Sequence, residues 1–224
     1  MLRRVGRGLL VGVLALVPVV VVAVLVRERF QPLIHVDDAA IRGATDVTRA
    51  HPALLRTLLV VQAVMQPVWV YLVAFATCAW VWARGLRSRA LWAVATMLVG
   101  WFLGFLVKLV VQRARPVVSD PVSHSPGYSF PSGHAFNAAL ALTVVTVAVW
   151  PLAHRAVKAA LLTVGSLVVV GTCLDRVFLG VHFPSDVVGG VILALALVAA
   201  SWAGYRGPRQ VAREAAHSIE RSAP

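Results

Sequence analysis

Charge is what this chain has least of. Only 13% of its 224 residues are Asp, Glu, Lys or Arg, against 59% hydrophobic, whereas a soluble domain carries about a quarter charged residues. That scarcity excludes an ordinary soluble globular chain. Acidic residues number nine and form no cluster with metal-ligand spacing, so no metal site is expected. Cysteine is nearly missing. Cys78 and Cys173 stand far apart inside apolar runs, which suits small buried packing residues better than a disulfide. The formal charge of +12 comes with no nucleic-acid motif, so nucleic acid is not expected as a partner.

What is present is apolar sequence in long runs. Segments near or above 18 residues recur, the membrane-span signal, at 9–26, 57–83, 91–111, 131–150, 159–174 and 184–203. The expected fold class is therefore all-α: a polytopic membrane protein with six transmembrane helices, one domain over 1–224. Residues 9–26 follow Arg3, Arg4 and Arg7 as in a secretory signal, but no small-x-small cleavage site precedes Arg27; the segment reads as a retained first span. Residues 27–56 are the longest polar connection. Ile41, Ala44, Val47 and Leu54 stand there among charges, a pattern that permits an interfacial helix over Asp37 to Arg56 and equally permits an irregular loop. Either lies where it can influence what enters a site on that side. Gln62, Gln66 and Pro67 mark an end of the second span expected to face protein. Gly100 and Gly104, four apart in the third, allow close helix packing. Residues 112–130, with Pro116, Pro121, Pro126 and Gly127, form a loop.

Basic residues give the orientation. The connections sharing the N-terminal side carry twelve (Arg3, Arg4, Arg7; Arg84, Arg87, Arg89; Arg155, Lys158; Arg206, Arg209, Arg213, Arg221), offset only by Glu214 and Glu220. The other side holds nine basic and seven acidic residues. The positive-inside bias then puts both termini in the cytoplasm, with the basic tail, 204–224, near anionic lipid.

Three polar islands fall on the opposite, extracytoplasmic face: KLVVQRARP at 108–116, PSGH at 131–134 and DRVFLGVHFPSD at 175–186. Charge beside hydrocarbon is costly and usually functional. Lys108, Arg115 and Arg176 are cations suited to phosphate oxygens, arginine through its planar fork. Pro131 fits the first turn of the fourth helix, and Ser132 and Gly133 leave backbone N–H groups at its positive end for an anion. Asp186, four residues after His182, is placed to accept a hydrogen bond from one imidazole nitrogen, leaving the other to attack phosphorus. His134 is then the acid for the leaving oxygen and, in reverse, the base that activates water. The chemistry these residues describe is phosphoryl transfer to water, with no metal or other cofactor required.

The order K-x6-RP, PSGH and R-x5-H-x3-D resembles the three signature motifs of the type 2 phosphatidic acid phosphatase (PAP2) superfamily, membrane lipid phosphatases related to the vanadium haloperoxidases. The six-span pattern is similar to the bacterial branch. The resemblance implies a PAP2/haloperoxidase-like helical core in a bacterial cytoplasmic membrane. It implies His182 as nucleophile, Asp186 as its partner, His134 as acid, Lys108, Arg115 and Arg176 as phosphate binders, and Ser132 and Gly133 as transition-state contacts. It also implies a membrane lipid phosphate or pyrophosphate as substrate, phosphatidylglycerol phosphate and polyprenyl pyrophosphate among them, with no metal and no obligate protein partner. One position departs from the family. Its third motif commonly has Ser before the Arg, and here that place is Asp175, expected to turn aside and hold Arg176 or to cap backbone donors.

The remaining polar residues have plainer readings. His51, His124, His154 and His217 read as surface histidines, as does His35, for which a lipid-head contact stays open. Arg113 reads as an interfacial anchor, with attraction of an anionic head as the alternative. Tyr128 and Phe130 either edge the entrance or belong to an aromatic belt. The competing function is a non-hydrolytic transporter of a lipid or anion, which expects charged or broken helices near the membrane middle.

Overall fold

Proline sets the helix starts. Pro32, Pro52 and Pro67 each occupy the first or second position of a helix, and Pro184 opens another, where a missing N–H costs nothing. The computed structural model describes residues 2–118, 123 and 125–205. Its helices are α1 (Leu2–Arg27), α2 (Gln31–Ala50), α3 (Pro52–Val64), α4 (Pro67–Ala83), α5 (Arg87–Val111), α6 (Gly133–Val149), α7 (Arg155–Phe178) and α8 (Pro184–Tyr205). The described residues include no strand. Residues 119–122 and His124 of the expected loop, and 206–224 of the expected basic tail, lie outside the described residues.

α6 is the central helix, packed against α4, α5, α7 and α8. Its buried residues, Ala135, Phe136, Ala138, Ala139, Leu140, Ala141, Val144 and Ala148 among them, point in all directions, as expected of a helix apolar all round. Close approach comes from glycine. A Cβ on Gly100 of α5 would lie 2.2 Å from Leu140, and one on Gly190 of α8 would lie 3.0 Å from the carbonyl oxygen of Ser132. α1 runs along α8, held at one end by Arg7 donating to the Ala203 carbonyl at 2.6 and 2.9 Å.

The chain is an all-α polytopic membrane protein, but fewer than six of its described helices meet the length and apolarity of a span. Among the described residues four helical segments are long and apolar enough to cross a membrane: Gly6–Arg27, Arg87–Val111, Arg155–Phe178 and Pro184–Tyr205. The expected second span is two helices, α3 and α4, bent by 48° at the break before Pro67; counted together they make a fifth. The expected fourth span is only the 17-residue α6. At 1.5 Å per residue it reaches about 25 Å, short of the ~30 Å hydrocarbon core. The cause is local. Pro131 is not in the first turn: Ser132 is the N-cap and the helix opens at Gly133.

Residues 27–56 hold α2 and the first turn of α3; α2 is as long as the expected interfacial helix but begins six residues earlier and ends before Pro52. Its buried stripe is Asp37, Ile41, Ala44, Thr45 and Thr48, not the expected line through Val47, which is exposed. The stripe packs on α7 and α8, and Thr48 Oγ1 donates to the Phe178 carbonyl at 2.8 Å. Of the polar pair in α3 and the break, Gln62 accepts from Ser123 Oγ at 3.2 Å, while Gln66 is exposed.

Candidate active site

Four helix ends bring the polar islands together. α5 stops where Gln112 takes a left-handed conformation, φ 51°, and the chain continues without helix through Arg113 and Arg115. α7 and α8 are joined by five residues, 179–183. The reversal needs Gly180 at φ +71°, packed under Thr45 of α2, a backbone conformation that a side chain would strain. His182 sits in this turn, and Asp186 in the first turn of α8. The N–H of Ser132 donates to the Asp186 carbonyl at 3.0 Å, pinning the start of α6 against the start of α8. That bond also corrects the expected anion cradle: the Ser132 N–H is engaged, and helix geometry leaves the first-turn N–H groups of Gly133, His134 and Ala135 instead.

His182 is 3% exposed. Arg115 Nη1 lies 3.1 Å from its Nε2. A guanidinium can only donate, so Nε2 bears a lone pair and the proton is on Nδ1. Nδ1 is 3.6 Å from Asp186 Oδ2, too far for a direct hydrogen bond. Ser129 Oγ closes the gap, 3.3 Å from Nδ1 and donating to Oδ2 at 2.5 Å. Burial pushes the His182 pKa down to about 4, helped by Arg115 and Lys108 and opposed by Asp186. The ring is therefore neutral at physiological pH, with the tautomer a nucleophile needs.

Cations surround that nitrogen. Lys108 Nζ donates to the Tyr128 carbonyl at 2.8 Å. Arg115 donates to the carbonyls of Pro126, Gly127 and Val181 at 3.0, 2.9 and 2.8 Å. Residues 126–128 thus lie exposed over both cations. His134 is within electrostatic reach of Arg176, His182, Arg115 and Lys108. Its Nε2 and the hydroxyl of Ser132 are buried and find no hydrogen-bond partner among the described residues, which marks them as surfaces for a polar ligand. A Cβ on Gly133 would meet nothing within 4 Å, so the first turn of α6 faces open space. Arg176 is buried and paired through Nε and Nη2 with Asp175 Oδ2.

Size does not locate this site. The larger cavity, about 580 Å³, lies among α6, α7 and α8, is lined mostly by apolar side chains with Arg89, Thr143, Thr146 and Ser166 between them, and contains no candidate residue. A smaller one of about 150 Å³ touches Lys108, Pro131 and Gly133 and is walled by Trp101, Phe105 and Phe136.

Residues 89–209, more than half the chain, match the family description PAP2 superfamily. The chain belongs to the PAP2 superfamily. It is 38% identical to phosphatidylglycerophosphatase B of Bacillus subtilis over 99 residues, 42% of this chain and 47% of that one. It is 30% identical to undecaprenyl-diphosphatase BcrC of the same organism over 113 residues, 49% and 54% of the two chains. To decaprenylphosphoryl-5-phosphoribose phosphatase of Mycobacterium tuberculosis H37Rv it is 33% identical over 133 residues, 57% and 68%. The chain thus spans about half the length of the first two of these relatives. The crystal structure of a transmembrane PAP2-type phosphatidylglycerolphosphate phosphatase from Bacillus subtilis shares the fold, with a TM-score of 0.72, 23% identity, and coverage of 83% of this chain and 91% of that one.

Four polar residues have site contacts that the sequence does not reveal: Ser129, Ser185 and Arg113 within the matched residues, and Asp37 outside them. Arg113 corrects an expectation outright. It is no interfacial anchor but is buried between two carboxylates, Asp37 Oδ2 and Asp186 Oδ1, each at 2.7 Å. Two buried carboxylates in one place require a cation, and Arg113 pairs directly with both. Phe130 is also fully buried, while Tyr128 is exposed.

Proposed function

We propose that this protein is a metal-independent lipid phosphatase that removes the terminal phosphate of a membrane lipid phosphate or pyrophosphate through a phosphohistidine on His182. The observation carrying this reading is the His182 ring itself, its bare Nε2 beside Arg115 and its Nδ1–H directed to Ser129 and Asp186. Lys108, Arg115 and Arg176 supply charge to the phosphate oxygens, as do the Gly133 amide and the Ser132 hydroxyl. Carbonyls of 126–128 now take the donors of Lys108 and Arg115, and phosphate oxygens compete for the same N–H groups.

Nε2 attacks phosphorus, and an N–P bond forms as the P–O bond to the lipid breaks. The lipid oxygen leaves with a proton from His134. Water then attacks phosphorus and gives a proton to His134 while the N–P bond breaks, and inorganic phosphate departs. His134 stands among positive groups, so it takes up its acid proton when a phosphate dianion balances them. Asp175 fixes Arg176, and Pro131 fixes the entry to α6.

Counting α3 and α4 as one bent span and α6 as a short crossing inside the bundle gives an even number, which leaves both termini on one side. The basic residues of that side assign it to the cytoplasm and the site to the extracytoplasmic face. Trp101 and Phe105, exposed on α5 beside the smaller cavity, suit an acyl or prenyl tail arriving from the bilayer. The relatives' names point to phosphatidylglycerol phosphate and to undecaprenyl pyrophosphate as substrates to try. The bent α3–α4 pair meets one expectation of the transport alternative, but the break at Met65 and Gln66 carries no ionisable side chain, while the cations and histidines gather at the other helix ends.

The test is phosphate release by purified protein in detergent with a chelator present, across phosphatidylglycerol phosphate, phosphatidate and undecaprenyl pyrophosphate. Release from at least one lipid, abolished in His182→Ala, is expected. Activity that disappears with chelator and returns with magnesium contradicts the mechanism.

A further inference from the structure

We infer that Asp37 and Arg113 are positioning residues of the active site: α2, through them, holds Asp186 in the place from which it orients His182. The inference rests on the reading of His182 as nucleophile and adds an element, α2, that no motif includes.

The connection is continuous. Asp37 Oδ1 accepts the Ser185 N–H at 3.0 Å, and Oδ2 accepts the Ser185 hydroxyl at 2.5 Å and Arg113 Nη2 at 2.7 Å. Arg113 Nη1 donates to Ser185 Oγ and to Asp186 Oδ1, both at 2.7 Å. The other oxygen of Asp186 takes the Ser129 hydroxyl and the Phe183 N–H. Asp37 therefore caps the first turn of α8 from a different helix, a role that an N-terminal carboxylate fills well. The Phe183 ring lies 4.0 Å from the Arg113 guanidinium carbon and limits its swing. Asp37, Arg113, Ser185 and Asp186 are all buried.

Stability alone is a poor reason for such a chain. A buried ion pair loses so much hydration that apolar residues of similar size do as well or better. This one ends on the carboxylate behind the nucleophile. Its geometry uses separate nitrogens of one planar guanidinium for the two carboxylates, which a lysine ammonium cannot reproduce. Each link is a hydrogen bond of fixed direction, and an error of about 1 Å in a reacting group costs on the order of 10²-fold in rate.

The charges facing His182 are Asp186 from α8, Arg115 from the connection after α5, Lys108 from α5 and His134 from α6, with Arg176 of α7 behind His134. Arg113 acts on the ring only through Asp186. Without Arg113 the Asp186 charge is unbalanced and favours the imidazolium, so the acid limb of kcat/KM moves to higher pH. Without the Asp37 charge, Arg113 draws harder on Asp186, and the limb does not rise.

The experiment measures kcat, KM and the pH profile for wild type, Asp37→Asn, Arg113→Gln and Arg113→Lys, as full chains in detergent, on whichever of phosphatidylglycerol phosphate, phosphatidate and undecaprenyl pyrophosphate the wild type cleaves. Expected are a kcat loss of roughly 10²-fold in Asp37→Asn and Arg113→Gln with little change in KM, a smaller loss in Arg113→Lys, and a raised acid limb in Arg113→Gln alone. Arg113→Lys keeps the buried charge and carries the test if Arg113→Gln is not recovered folded. An active wild type with undiminished kcat in Asp37→Asn and Arg113→Lys overturns this inference alone. A wild type that releases no phosphate from any of these lipids, phosphatidate included, overturns the phosphatase reading, and the inference with it.

Discussion

Replacing Ser129 by alanine removes one oxygen from a fully buried position and leaves the helices, the cations and both histidines in place. The oxygen sits between His182 Nδ1 at 3.3 Å and Asp186 Oδ2 at 2.5 Å, and without it those atoms face each other across 3.6 Å. Asp186 Oδ2 keeps the Phe183 N–H at 2.9 Å, so the carboxylate stays solvated by the protein and folding is little affected. What is lost is the acceptor for the Nδ1 proton. A hydrogen bond between neutral groups contributes about 0.5–1.5 kcal/mol, and each ~1.4 kcal/mol in a barrier is a factor of ten, so kcat is expected to fall by roughly twofold to tenfold. Ser129 makes no contact with the cations that hold phosphate, so KM is expected to stay near its wild-type value. Steady-state phosphate release measures both constants. A Ser129→Ala protein with wild-type kcat refutes the bridging role, and a change confined to KM moves Ser129 to substrate binding.

Other consequences can be checked on the same preparation. Because the lone pair of His182 must be free, kcat/KM is expected to fall as pH drops through about 4; a limb near the ordinary imidazole value would show that the ring is not shielded from water. The same lowered pKa means the unfolded chain binds more protons than the native one between the ordinary value and about 4, so thermal stability should decline as pH falls across that window. Gly190→Ala places a Cβ 3.0 Å from the Ser132 carbonyl oxygen; overpacking of about 1–3 kcal/mol outweighs the ~1 kcal/mol gained in helix propensity, and the melting temperature should drop. Gly133→Ala meets open space and should melt like wild type while phosphate release weakens. Asp175→Ser strips Arg176 of its buried partner and should cost about 3–5 kcal/mol of stability with KM little altered; a large gain in phosphate affinity instead would show that the carboxylate opposes the substrate.

Much of the site can be read from the chain because charge is so scarce. In a run such as 91–111, Lys108 has no reason to stand near the end unless it is used, and Arg176 and Asp186 are conspicuous for the same cause. The helix ends that carry them depend on local signals: Pro184 opens α8 and is plain in the sequence, whereas the left-handed Gln112 that stops α5 is not. Nor is the interior network. Ser129 looks like any loop serine, and its meeting with Asp186 depends on how the chain enters α6. Asp37 lies in a polar connection, and only the buried stripe of α2 shows that its carboxylate turns inward. Arg113 was given to the interface because its partners come from elements far away in the chain. Helix lengths depart from the hydropathy pattern where local geometry overrides it: Pro67 breaks a continuous apolar run, and α6 is shortened by the non-helical Pro131–Ser132 entry.

The central claim is that a phosphorus–nitrogen bond forms on His182. Rapid acid-free quenching of the protein during turnover of a lipid labelled in its terminal phosphate, followed by peptide mapping, tests it most directly. The account predicts an acid-labile, alkali-stable label on the peptide carrying His182, absent in His182→Ala and accumulating in His134→Ala if the second step slows more than the first. Turnover with no label on that peptide, or label on a different residue, contradicts it.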